Sequence, residues 1–100
     1  MAKIALITGA NRGLGFETAR TLGRRGITTI VAARDPAKGA QAAALLRDEG
    51  IDAHAVELDV TSVASVRAAA QGVRGDHGAL NILVNNAGIL PEAWSRPSSR

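Results

Sequence analysis

The chain has no cysteine and no tyrosine among its 100 residues. Without cysteine, neither a disulfide framework nor a thiolate metal site can form. The two histidines, His54 and His77, are too few and too isolated in sequence to suggest a metal centre. Aromatic residues are nearly absent, with Phe16 and Trp94 the only ones. The core must therefore be aliphatic, drawn mostly from Ala, Val, Leu and Ile in a chain that is 46% hydrophobic. Such a core suits parallel strands covered by helices. No apolar run is long enough to span a membrane. Met1-Ala2-Lys3 leads straight into a strand with no signal-peptide core, so a cytoplasmic protein is expected. The net charge is +3, but the arginines are scattered and stacking residues are missing, which argues against a nucleic-acid partner. Positive charge still helps to attract an anionic ligand.

What the chain does have is Thr8-Gly9-Ala10-Asn11-Arg12-Gly13-Leu14-Gly15. This stretch follows the apolar run Ile4–Ile7 and opens an amphipathic segment from Phe16 to Arg25. Strand, glycine turn and helix start in that order can place a phosphate on a helix N-terminus. Gly9 permits a tight turn out of the strand. Gly13 leaves no side chain to block backbone approach to a pyrophosphate, and Gly15 allows close packing of helix on strand. The spacing is G-x-x-x-G-x-G rather than G-x-G-x-x-G, so these roles rest on analogy.

Strand and helix alternate along the chain. The first strand is expected over Ile4–Thr8, and the first helix runs from Gly13 to about Arg25, with Phe16, Ala19 and Leu22 at helical spacing. Arg24-Arg25 followed by Gly26 is a helix stop. The β-branched run Ile27–Ala33 is a second, buried strand. Asp35-Pro36 starts a second helix, as cap and first-turn proline, that continues to about Glu49. A third strand is expected over Ala53–Leu58. Thr61 or Ser62 caps a third helix to about Val73, and Gly75–Gly78 is a turn. Leu80–Val84 is the fourth strand, and the Pro-, Ser- and Arg-rich residues from Pro91 form an irregular tail. The expected fold is α/β: a Rossmann-type, doubly wound parallel sheet, incomplete, with strand order 3-2-1-4. Residues 1–90 form this half-domain, and residues 91–100 the tail. The switch point lies between strands one and four, where the glycine turn and Asn85–Gly88 meet.

Arg34 follows the second strand. At this position of a dinucleotide site an acidic residue accepts from the ribose 2′-hydroxyl of NAD, whereas an arginine meets the 2′-phosphate of NADP. Arg12 reaches the same phosphate from the glycine loop, and two forked guanidiniums make a clamp. Asp35 would repel a phosphate unless its carboxylate is turned to cap the second helix. On its own, Arg34 could also be a solvated arginine, the less favoured reading. Asp59-Val60 follows the third strand: Asp59 can accept from an adenine amino group while Val60 packs on the ring, or Asp59 is simply a helix-start aspartate. Asn85-Asn86-Ala87-Gly88 ends the fourth strand, where the Asn amides can tie neighbouring strands and Ala87-Gly88 leave room for a ribose. Read alone, that stretch could be only a turn.

Together, TGANRGLG, AAR, LDV and NNAG resemble the short-chain dehydrogenase/reductase family, in order and spacing, over about Lys3 to Ile89. The N-R of the glycine loop and A-A-R-D look most like its carbonyl-reductase-type, NADPH-using members. The resemblance implies that Gly9, Asn11, Arg12, Gly13, Leu14 and Gly15 hold the phosphates. It implies that Arg34 selects NADP(H), and that Asp59, Val60, Asn86, Ala87 and Gly88 line the adenine and ribose. It also implies a chemistry run by a Ser, a Tyr-x-x-x-Lys pair and an Asn. With no tyrosine, and with Lys3 and Lys38 as the only lysines, no residue here is assigned as catalytic. The expectation is the cofactor-binding front of a hydride-transferring enzyme acting on a carbonyl or alcohol, inactive by itself. The alternative is a stand-alone nucleotide-binding or regulatory module. The open edge of strand four is expected to favour self-association.

Overall fold

The computed structural model describes residues 3–86. Residues 87–100, and with them the expected tail, Ala87 and Gly88, lie outside the described residues. Four strands form one parallel sheet in the order β3-β2-β1-β4. They are β1 (Ile4–Thr8), β2 (Thr28–Ala33), β3 (Ala53–Glu57) and β4 (Ile82–Val84). Helices α1 (Gly13–Arg24), α2 (Pro36–Asp48) and α3 (Val63–His77) connect them. Leu6 sits between Ile30 of β2 and Leu83 of β4 in the ladder. Ile30 in turn faces His54 of β3. The order and class are those expected from the alternation.

β2 is buried at every position, as a central parallel strand with helices on both faces must be. One face carries Ala5, Ile7, Val31 and Ala53 against Ala19 of α1 and Ala42, Ala43 and Leu46 of α2. The other carries Leu6, Ile30 and Ala32 against Val66, Ala69 and Val73 of α3. Small residues let α2 approach closely: a Cβ at Gly39 would lie 3.4 Å from that of Ala33. Phe16 and Leu22 complete the α1 contact as partly buried side chains.

Two elements differ from the sequence expectation. α3 runs on through Gly75 to His77, instead of ending near Val73 with a turn at Gly75–Gly78. A mid-helix glycine costs about 1 kcal/mol, so it weakens a helix without ending it, while Val73 is buried on the sheet and Arg74 and His77 suit the last turn. The stop is Gly78, at φ 93°. β4 is shorter than expected because Asn81 bonds β1 locally: its N–H donates to the Ile4 carbonyl at 2.9 Å, and its Oδ1 accepts from the Ile4 N–H at 2.8 Å. For α3 the cap is Ser62, whose hydroxyl accepts from the Ser65 N–H at 3.1 Å.

One buried polar group has no partner among the described residues. Thr29, fully buried in β2, leaves its Oγ1 without a hydrogen bond. An unsatisfied buried hydroxyl costs about 1–3 kcal/mol, and an apolar group of the same shape removes that cost. Thr29→Val is therefore expected to stabilise the fold by about 1 kcal/mol, read as a higher midpoint in urea with an unchanged slope. A lower midpoint would show that the hydroxyl is satisfied in solution.

Away from the glycine turn, carboxylates join the elements. Glu49 accepts from Arg20 at 2.9 Å and from Arg24 at 3.1 Å, linking the end of α2 to α1. Arg20 also pairs with Glu17 at 2.6 Å and lies over the Phe16 ring. At the N-terminal end of the sheet, Asp52 accepts from Thr28 Oγ1 at 2.9 Å and pairs with His54 at 2.8 Å. The Arg20 hydrogen bond holds Glu49 below its ordinary value, and the Thr28 hydroxyl does the same for Asp52. A carboxylate depressed in the folded state contributes stability above its unfolded pKa, and that contribution is lost as pH falls through the folded value. The melting temperature should thus be flat from pH 7 to 5 and fall below about pH 4, the ordinary carboxylate range. A melting temperature that rises on acidification would contradict these pairings.

Candidate dinucleotide site

The turn after β1 is fastened from two sides. The Gly9 N–H donates to the Ala32 carbonyl of β2 at 2.9 Å, with Gly9 at φ 62°. On the β4 side, the Asn86 N–H donates to Thr8 Oγ1 at 2.8 Å. The Asn86 side-chain amide donates to the Gly9 carbonyl at 3.4 Å. Thr8 Oγ1 also lies 3.2 Å from Asn85 Oδ1. The two asparagines thus tie the end of β4 to β1 and to the glycine turn, across the switch point.

α1 opens without a side-chain cap. Arg12 occupies the cap position with an extended backbone and makes no capping bond, and no acidic residue lies in the first turn. α2 and α3 are capped by Asp35 and Ser62. The first N–H groups of a helix have no partner within it, and the helix dipole adds positive potential there. Gly13, at φ 63°, has no atom within 4 Å of where a Cβ would lie. The backbone at the start of α1 is therefore open to an anion.

A cleft of about 450 Å³ lies beside this turn. Gly9, Asn11 and Arg12 line it from the glycine loop; Ala33, Arg34, Asp35 and Lys38 from the end of β2 and the start of α2; and Leu58 to Thr61 from the segment after β3. Three loops at the C-terminal ends of three strands thus converge, at the end of an open α/β sheet where ligands bind. Of the residues expected at the site, Gly9, Asn11, Arg12, Arg34, Asp59 and Val60 line this cleft. Gly13, Leu14 and Gly15 form the adjoining first turn of α1, with Leu14 78% exposed. Asn86 sits behind the glycine turn, bonded to Gly9. Val60 divides its surface between the cleft and the α3-side core.

Both carboxylates in the cleft are engaged by their own loops. Asp35 Oδ1 accepts from the Ala37 N–H at 2.9 Å and the Lys38 N–H at 3.4 Å, the capping role its sequence position suggests. Asp59 Oδ1 accepts from the Thr61 N–H at 2.9 Å and from Thr61 Oγ1 at 2.6 Å. The Thr61 hydroxyl, then its N–H, holds the Asp59 carboxyl below its ordinary value, with Arg34 adding a smaller pull. No ion pair engages Arg12, Arg34 or Lys38 among the described residues. Lys38 and Thr61 are lining residues that motif reading passes over. Their sequence signals are a lysine four residues beyond Arg34, in the first turn of α2, and an Asp-x-Thr turn. No group of three potential metal ligands and no membrane-crossing helix occurs among the described residues.

The chain has many known counterparts in sequence and in fold. The family model for short chain dehydrogenases matches residues 3–100. A short-chain dehydrogenase/reductase of Aspergillus fumigatus is 48% identical over 91 residues, which cover 88% of this chain and 35% of that protein. The NADPH carbonyl reductase 3 of Rattus norvegicus is 43% identical over 89 residues, covering 88% of this chain and 32% of the relative. Among solved structures, a gluconate 5-dehydrogenase from Burkholderia cenocepacia, in complex with NADP and tartrate, superposes with a TM-score of 0.81 at 44% identity. That match covers 87% of this chain and 34% of the other. The chain thus spans about a third of the length of the relatives it matches. On its sheet order, its glycine turn and these matches, the chain belongs to the short-chain dehydrogenase family.

Proposed function

We propose that residues 3–86 form the NADP(H)-binding front of an enzyme that moves hydride between nicotinamide and a carbonyl or alcohol substrate. The observation that carries this reading is the cleft, where Arg12, Arg34 and Lys38 converge beside the uncapped N-terminus of α1. Those residues fit a dinucleotide bearing an extra phosphate. The open space at Gly13 admits a pyrophosphate against backbone N–H groups. Arg34 and Arg12 offer forked donors to a 2′-phosphate, and the cleft carboxylate beside Arg34, Asp35, is occupied in capping α2. Asp59 accepts from the adenine amino group through the oxygen that Thr61 does not bond, while Val60 packs on the ring. Asn86 keeps Gly9 in place; Ala87 and Gly88 are assigned to the ribose side on the family resemblance.

The nicotinamide, when bound, supplies or accepts the hydride. The residues of this chain bind and orient it, and none supplies the substrate proton, since the chain lacks tyrosine. The full chain should bind NADPH at least about tenfold more tightly than NADH, a difference of about 1.4 kcal/mol. Calorimetric titration with both cofactors checks this; equal affinities would remove the NADP(H) assignment. The chain alone should oxidise no NADPH with aldehydes or ketones, and turnover abolished by Gly13→Asp would show that it carries its own proton donor.

A further inference from the structure

His54 and His77 stand far apart in sequence but meet in space. Their ring centroids are 4.5 Å apart, with the rings tilted by 54°. They meet at the end of the sheet opposite the cleft. His54 is the second residue of β3 and pairs in register with Ile30, which belongs to the α3-side core. Side chains alternate along a strand, and Val56, two residues on from His54, packs on that same core. His77 is the last residue of α3. The surroundings of the pair suit a metal ion. His54 Nε2 lies 2.8 Å from Asp52 Oδ1. A carboxylate there fixes the ring proton on Nε2, so Nδ1 keeps its lone pair. Asp52 is itself held, since its Oδ2 accepts from Thr28 Oγ1 at 2.9 Å. No hydrogen bond engages His54 Nδ1 or the His77 ring among the described residues. Two imidazoles bound to one ion at about 2.0–2.1 Å have centroids about 4.5 Å apart at a right angle, and about 5 Å at the tetrahedral angle. The observed spacing falls at the near end of that range. The His54 side chain is 41% exposed, so a hydrated ion reaches it. The negative end of the α3 dipole, at His77, favours a cation as well.

We propose that His54 and His77 chelate one divalent ion of the zinc or copper type, with Asp52 as the positioning residue behind His54 and water completing the coordination. Imidazole nitrogen selects such ions over magnesium and calcium, which take oxygen ligands. Two protein ligands fall short of the four in a closed structural zinc site, so the ion is exchangeable. Held by both rings, it fastens the end of α3 to the outer strand of the sheet. The site is independent of the NADP(H) reading, since none of its residues lines the cleft.

The test titrates the untagged full chain with Zn²⁺ at pH 7.5 by calorimetry, with Mg²⁺ as the control ion. One saturable Zn²⁺ site per chain is expected, and none for Mg²⁺. Losing one ring nitrogen turns a chelate into a single contact. His54→Phe and His77→Phe, which keep a ring in place, should therefore each weaken Zn²⁺ about a hundredfold. Asp52→Asn keeps the shape and removes the charge, and should weaken it about tenfold. Zn²⁺ should raise the melting temperature of the wild-type chain but of neither histidine variant, because an ion bound only by the folded state stabilises it. Imidazole ¹⁵N NMR of the wild-type chain needs no substitution: both rings should shift together, His54 through Nδ1. The proposal is overturned if Zn²⁺ does not saturate, if only one ring shifts, or if His77→Phe binds as tightly as the wild type; the two rings are then a packing pair only. Unchanged affinity in Asp52→Asn overturns the positioning role.

Discussion

Gly15→Ala is expected to destabilise the fold and to weaken dinucleotide binding together, whereas the same substitution at Gly72 should stabilise it. Both glycines lie inside helices, where alanine is favoured by about 1 kcal/mol. Their surroundings decide the sign. A Cβ at Gly15 would lie 2.7 Å from both the Gly9 carbonyl oxygen and Asn86 Nδ2, and 3.1 Å from Ala10 Cα. Two of those three neighbours are backbone of the glycine turn and cannot swing aside. Overpacking of this kind costs about 1–3 kcal/mol, which exceeds the helix gain. Relief must come from moving the turn or breaking the Asn86–Gly9 bond, and either shifts the loop that faces the cleft. NADPH affinity should fall about tenfold or more with the stability. At Gly72, nothing lies within 4 Å of the added carbon, so only the helix gain remains. Chemical denaturation of the two variants should give shifts of opposite sign. Shifts of the same sign would mean that the close approach at Gly15 is not a constraint.

The second large effect is at Arg34. A hydrogen bond to a charged group contributes about 1.5–3 kcal/mol, so Arg34→Ala should cost about ten- to a hundredfold in NADPH affinity. NADH lacks the 2′-phosphate, so its affinity should change little. Arg34 is exposed, and its contribution should shrink at high salt, because the screening length is about 10 Å at 0.1 M. The fold should be unaffected, since no described ion pair depends on this side chain. Equal losses for NADPH and NADH would show that Arg34 contacts a part common to both.

The sheet was legible because its strands are short, β-branched or aliphatic, and punctuated by glycine. β2 is the clearest case: a short β-branched run with no apolar–polar alternation, preceded by Gly26, fits a strand buried on both faces, and all its positions are buried. Asp35 was legible as a cap because Pro36 follows it, and the carboxylate does bond the Ala37 N–H. The end of α3 was not legible. Gly75 looks like a stop, but it sits in open space on a helix that Val66, Ala69 and Val73 hold against the sheet. Tertiary packing outweighs propensity there. β4 lost its first two expected positions because Asn81 bonds Ile4 through its side chain, a choice that apolar patterning does not encode. Motifs adjacent in sequence named most of the cleft, but Lys38 and Thr61 enter it only because three separate loops meet in space. The close approach at Gly15 was legible from the glycine turn, whose Gly9 and Ala10 backbone supplies two of its three neighbours, but the third, Asn86, lies more than seventy residues away in sequence, which no local pattern can express.

The central claim is that one cleft, built from the ends of β1, β2 and β3, receives the adenosine end of NADPH. Backbone amide NMR of the labelled full chain, titrated with NADPH, tests it most directly. The account predicts shifts that saturate together and cluster at residues 9–15, 34–38 and 58–61, with little change near His54 and His77 at the opposite end of the sheet. Shifts centred on that opposite end, or no saturable shifts at millimolar NADPH, would contradict it.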